Sequence, residues 1–158
     1  MPGTRCYVPN VLRGTLRIAT WSVLLLLAVG ACNDLRDFRG SWAGARVGDA
    51  AALRVGAGNS ANLAIDGIDA HGLQGRIAIE GLLPETSFVS LEGAEADVLA
   101  NLTFSGSPLR VYLAFVPIPD LGGDAFVVVA LYDDRRIEVR LLRGGTQPLY
   151  AIFALTDA

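Results

Sequence analysis

Few side chains in this sequence could hold a proton, a metal or a nucleophile. The single histidine, His71, lies in Asp66-Gly67-Ile68-Asp69-Ala70-His71-Gly72. With Ser60 and Asp69 it would supply the base, nucleophile and orienting acid of a triad. A base on a glycine-bearing turn, with no Gly-x-Ser-x-Gly nucleophile motif nearby, instead reads as an exposed turn residue. Zinc lacks its usual ligands, since one histidine stands beside only Cys6 and Cys32. Asp66 and Asp69, then Glu92, Glu95 and Asp97, then Asp133 and Asp134 fall at turns, where carboxylates and carbonyls can surround a hard cation. None has EF-hand spacing, so they read as solvated acidic turns, and no spacing among them asks for a glycosidase carboxylate pair. Gly122-Gly123 and Gly144-Gly145 lie between strands and open no helix onto a phosphate. The expectation is no catalytic residue, no cofactor, no metal and no enzymatic activity.

One cysteine does sit in a chemical pattern. Residues 1–17 carry Arg5, Arg13 and Arg17 and no acid, and residues 18–31 form an apolar run that stops at Cys32. That run is shorter than the roughly 20 residues that span a hydrocarbon core, and it follows a basic lead, so it reads as a cleaved signal helix. Its end, Val29-Gly30-Ala31-Cys32, resembles the bacterial lipobox, in which an aliphatic residue and two small ones precede a lipidated cysteine. The resemblance implies diacylglycerol on the Cys32 sulfur, cleavage before it, and acylation of the new amino terminus. Residues 1–31 are then a signal peptide, 32–39 the lipidated cysteine and a short tether, and 40–158 the folded body. In such lipoproteins an aspartate directly after the cysteine can signal inner-membrane retention. Asn33 stands there instead, which points to the outer membrane.

Removing the signal leaves 10 arginines, no lysine and 16 acidic residues, a net charge of −6. An acidic body argues against nucleic acid, which asks for a basic face. Cys6 leaves with the signal and Cys32 is taken by lipid, so no disulfide staples the body and its core must hold alone.

The elements that must position any site read as strands. Ala61, Leu63 and Ile65 alternate with Asn62 and Asp66, and Leu73, Ile77 and Ile79 with Gln74, Arg76 and Glu80. Val98, Ala100, Leu102 and Phe104 alternate with Asp97, Asn101 and Thr103, and Ile137, Val139 and Leu141 with Arg136, Glu138 and Arg140. This period of two marks half-buried strands. The runs Leu109–Ile118 and Ala125–Tyr132 are apolar on both faces, so they are expected to be central strands whose second face some loop, sheet or partner covers. Turns are expected at Asp66-Gly67, Ser105-Gly106-Ser107-Pro108, Leu121-Gly122-Gly123-Asp124, Asp133-Asp134 and Gly144-Gly145. The fold class is all-β: one antiparallel, up-and-down, barrel-like domain of about nine or ten strands, with a two-sheet sandwich as the alternative.

The segment Asp37-Phe38-Arg39-Gly40-Ser41-Trp42-Ala43 resembles the Gly-x-Trp motif of lipocalin-type barrels. That resemblance implies that Trp42 plugs one barrel end and that an arginine near the last strand, Arg140 or Arg143, lies across it. By analogy it suggests an apolar or lipid ligand inside; an interior cavity lined by residues such as Leu63, Ile79, Leu102 and Phe126 would support that, and an interior filled by side chains would count against it. The sequence thus leads to a lipid-anchored cell-envelope protein whose partners are the membrane, through Cys32, and either a small apolar ligand or an envelope protein.

Overall fold

The computed structural model describes residues 34–47, 59–91, 102–144 and 149–158. Cys32, the signal segment and residues 97–101 lie outside them. The chain divides after Cys32, and the unit that begins at Asn33 holds one sheet.

A short 3-10 helix, η1 (Leu35–Phe38), leads into eight strands: β1 (Gly40–Arg46), β2 (Ser60–Ile68), β3 (Leu73–Ile79), β4 (Leu83–Val89), β5 (Arg110–Ile118), β6 (Gly123–Leu131), β7 (Ile137–Arg143) and β8 (Leu149–Asp157). Their order in the sheet is β4-β3-β2-β1-β8-β7-β6-β5. Every hydrogen-bonded neighbour is antiparallel. The first and last strands pair, with Trp42 opposite Asp157 and Arg46 opposite Phe153, so the sheet curls round. Its two ends then meet: just past β4, the Leu91 N–H donates to the Leu113 carbonyl at 2.7 Å. Along the rest of that seam β4 and β5 are the sheet's edges. Each carries a proline, Pro84 and Pro117, a residue without an N–H that sheets tolerate at their edges. The result is a nearly closed up-and-down barrel, and the sandwich alternative is not what forms.

Alternation decides what faces inward. Leu73, Gly75, Ile77 and Ile79 of β3 are buried while Gln74 and Arg76 are exposed. Ile137, Val139 and Leu141 of β7 and Leu149, Ala151, Phe153 and Leu155 of β8 fill the same core. Tyr112 and Val116 of β5 and Val127 and Val129 of β6 join it from the neighbouring strands. An eight-stranded barrel is just wide enough for such side chains to fill it. The inward residues of β6 to β8 are 0–2% exposed, which leaves no lumen beside them.

Three expectations need correction. There are eight strands among the described residues, because 102–104, expected to end a strand running from Val98, are irregular. Asp66-Gly67 is not a turn. The register slips there between β2 and β3, and the chain reverses later, over 69–72. A Cβ on Gly67 would stand 2.5 Å from Nε2 of the exposed Gln74 side chain, which would have to swing aside. Of the two two-faced runs, β6 lies within the sheet, whereas β5 ends its hydrogen-bonded order beside the seam.

Candidate functional site

The densest polar grouping lies on the outside of the barrel. The side chains of Glu138 and Arg140 point outward from β7, yet each is only 4% exposed. Arg140 Nε donates to Glu138 Oε1 at 2.6 Å, and its Nη2 donates to the Thr103 carbonyl at 2.6 Å. Its Nη1 donates to the Tyr150 hydroxyl at 3.3 Å. The Ser105 hydroxyl donates to Glu138 Oε2, which also accepts from the Tyr132 hydroxyl at 3.3 Å. Arg136 Nη1 donates to Ser105 Oγ at 2.9 Å and stacks its guanidinium 4.0 Å from the Tyr132 ring centroid. Phe104 lies under Arg140, 4.6 Å from ring centroid to guanidinium carbon.

These bonds tie residues 103–105 over the outer face of β7, as a strap. Beside the cluster in the register, Val128 and Ala130 of β6 are buried and face the same way. The strap thus supplies cover for the second apolar face that the sequence demanded. No buried side-chain polar atom among the described residues lacks a partner. Glu138 and Arg140 are consumed by structural bonds, and the serine nearest them serves as a tie.

A second grouping closes the end of the barrel where η1 lies. Asp34 caps η1 by accepting from the Arg36 N–H at 3.0 Å. Phe38, buried, stacks on Trp42 with ring centroids 5.8 Å apart, and Trp42 Nε1 donates to the Phe38 carbonyl at 2.9 Å. The guanidinium above Trp42 belongs to Arg135, 6.0 Å from its ring centroid. Arg135 Nη2 also donates to Asp157 Oδ2 at 2.8 Å and to the Asp37 carbonyl at 3.5 Å. Arg135 holds this place from a left-handed backbone conformation, φ 58°. It is the one non-glycine residue with positive φ among those described, in the turn expected at Asp133-Asp134, where residue type does not mark an arginine for that conformation.

Arg140 and Arg143, named from sequence for this position, lie elsewhere. Arg140 belongs to the strap cluster. Arg143 sits at the far end of β7, where it pairs with Leu149 in register.

The other sequence candidates disperse. Ser60 opens β2 and Asp69 follows its end, roughly 30 Å apart along the strand, so no triad with His71 assembles. The Ser60 hydroxyl donates to Glu80 at 3.0 Å. Asp69 accepts from the backbone N–H groups of His71 and Gly72, and these bonds hold its carboxyl below the usual range. Tyr112 donates to the Asp69 carbonyl at 2.7 Å and fixes that loop to the core. Asp66 and Glu85 flank Arg76 at 3.4 Å each, and the bond to Asp66 chiefly raises the guanidinium's pKa. Among the described residues no three histidine, cysteine or acidic side chains gather to hold a metal. Glu92, Glu95 and Asp97 lie outside them.

Two open clefts mark the barrel's ends. One, of about 530 Å³, lies at the η1 end between Arg36, Arg39, Asp69, His71 and Val89. The other, of about 600 Å³, lies at the opposite end beside Ser60, Glu80, Pro84 and Asp120. Of the expected apolar lining, Leu63 and Ile79 are in the core, Leu102 lies in the strap's approach, and Phe126 points outward. Phe126 packs on Phe115 at 4.5 Å, and Phe115 is 45% exposed. The register continues this outer row through Leu142 and Tyr150, both half-buried. Over β2 to β4 the outer face instead carries Asp66, Arg76 and Glu85. No helix among the described residues is long and apolar enough to cross a membrane. Comparison with protein-family models, curated proteins and solved structures finds no match.

Proposed function

We propose that this chain is a lipid-anchored protein of the bacterial cell envelope, held through Cys32 at the outer membrane. Its barrel is a non-catalytic module that engages an envelope protein through its outer surface. The observation that carries the choice of surface is the solid interior. Val116, Val127, Ile137 and Val139 are each 0% exposed, and this close filling of the interior among the described residues supports recognition on the outside rather than an internal ligand. Recognition is left to the outside, where the Phe115, Phe126, Leu142 and Tyr150 row offers aromatic and aliphatic surface of the kind that anchors protein contacts. The lipid anchor is supported by the order of basic lead, apolar run, small residues and cysteine in the sequence.

Two measurements test this reading. Labelling cells with palmitate should mark the wild-type chain and not Cys32→Ala, which should remain uncleaved or leave the membrane. A photo-crosslinking amino acid in place of Phe115 should trap a defined protein, while the same group at Asn62, on the charged side, should not. A stoichiometric lipid retained within the purified barrel after delipidation of the membrane would reverse the choice in favour of an internal ligand.

A further inference from the structure

We propose that η1 is a stand-off that holds the barrel end-on to the bilayer, so that the end with the 69–72 loop faces lipid and the end with Asp120 faces away. The inference rests on the anchor at Cys32 proposed above, and it adds an orientation that the anchor alone does not provide.

Chain length is the first argument. Asp34 follows Cys32 by two residues, a reach of at most about 7 Å. A free tether over residues 33–39 would instead reach roughly 24 Å. That matches the barrel's own height, since nine-residue strands rise about 30 Å along their length and roughly 23 Å after the usual tilt. With such slack, either end of the barrel or its flank could meet the bilayer.

The structure removes the slack. Asp34 caps η1, Phe38 is 2% exposed, and the Phe38 carbonyl is bound by Trp42. Arg135 links the Asp37 carbonyl to Asp157 at the end of β8, so η1, β1, the β6–β7 turn and β8 are tied at one end. The lipid-bearing residue therefore connects to a rigid body almost at once. The charges of η1 and its flanks, Asp34 and Asp37 against Arg36 and Arg39, balance. The rest of this end, Asp69, Asp133, Asp134 and Asp157 against Arg135 and Arg136, is net acidic, so it is the short tether and not charge that would hold the end to an anionic surface. Val89, 68% exposed, lines the cleft beside η1 and places an apolar side chain at the same end.

Energy transfer from a dye on the barrel to acceptor lipids measures the orientation. The full chain is expressed, and its mature acylated form is reconstituted into phosphatidylethanolamine–phosphatidylglycerol vesicles. With Cys6 removed and Cys32 acylated, an introduced cysteine is the one free thiol. Ala70→Cys reports the η1 end and Asp120→Cys the opposite end. The expected result is transfer several-fold stronger from Ala70→Cys than from Asp120→Cys. Ten Gly/Ser residues inserted between Asn33 and Asp34 touch no barrel contact and add a coil of roughly 18 Å, and should bring that ratio close to one. Equal transfer from both sites with the native tether, in protein that is acylated and vesicle-bound, would overturn the stand-off alone. So would an unequal ratio that the inserted linker leaves unchanged. Protein that carries no diacylglycerol mass and does not stay with the vesicles would overturn the anchor reading and the stand-off together.

Discussion

Replacing Arg140 with methionine tests how much of this fold depends on the strap cluster. The substitution keeps most of the side chain's volume and removes its charge. It deletes the 2.6 Å bond to Glu138, the 2.6 Å bond to the Thr103 carbonyl and the 3.3 Å bond to Tyr150. Glu138, 4% exposed, is left as a buried carboxylate with only Ser105 and Tyr132 as donors. Removing one partner of a buried pair typically costs about 3–5 kcal/mol, because the other charge stays uncompensated. A domain of this size has about 5–15 kcal/mol in all, so the loss should be visible as a large drop in the urea midpoint. Trp42 is the reporter in protein produced without residues 1–31, where it is the one tryptophan. Adding Glu138→Gln to Arg140→Met removes the stranded charge while an amide can still meet Ser105 and Tyr132. The double variant should therefore recover about 1–2 kcal/mol of the single variant's loss. If Arg140→Met cost under about 1 kcal/mol, or if the double variant were worse than the single, the strap would not be held by this charge pair.

Three further outcomes follow from single contacts. A Cβ on Gly44 would stand 1.9 Å from the Ala154 carbonyl oxygen, and one on Gly75 2.1 Å from that of Ala64. Because the obstacle is backbone, Gly44→Ala and Gly75→Ala should each lower stability by about 1–3 kcal/mol or more, whereas Gly144→Ala, with open space around it, should change the urea midpoint little. Trp42→Phe removes the Nε1 bond to the Phe38 carbonyl and leaves a small void, a loss of about 1–3 kcal/mol. Hydrogen exchange in residues 35–38 should rise more than in β6, and uniform exchange would refute the pinning of η1 by Trp42. Asp69 accepts from the His71 and Gly72 amides, and its depressed pKa means that its contribution is complete at neutral pH and fades as acid protonates it below about pH 4. Amide exchange at His71 and Gly72 should therefore speed up in that acid range in wild type, beyond the intrinsic pH trend, and Asp69→Asn should show no such acid step.

Much of the barrel is written in alternation, and the places where alternation misleads are those where distant chain decides burial. In β3 and β7 the inward set follows the period of two directly, because their other face meets water or polar cover. In β6 both sets are apolar, so parity carries no information. Phe126 reads as lining on size alone, yet Ala125, Val127, Val129 and Leu131 point inward and send it outside. Arg136, Glu138 and Arg140 read as a solvated face for the same local reason. Nothing within β7 reveals that residues 103–105, more than thirty positions earlier, lie on top of them. The arginine over Trp42 is a similar case. Position near the last strand suggested Arg140 or Arg143, but both belong to β7, whereas the φ of 58° at Arg135 turns its side chain back across the barrel end to Asp157. A left-handed residue bearing a long cationic side chain costs about 1–2 kcal/mol of backbone strain. That strain sits where η1 is pinned, beside Trp42 and Asp157. Pinning η1 and filling the core act in one direction: both remove freedom from the barrel's interior and its η1 end, so the apolar side chains left in reach of solvent include those of the outer row around Phe115.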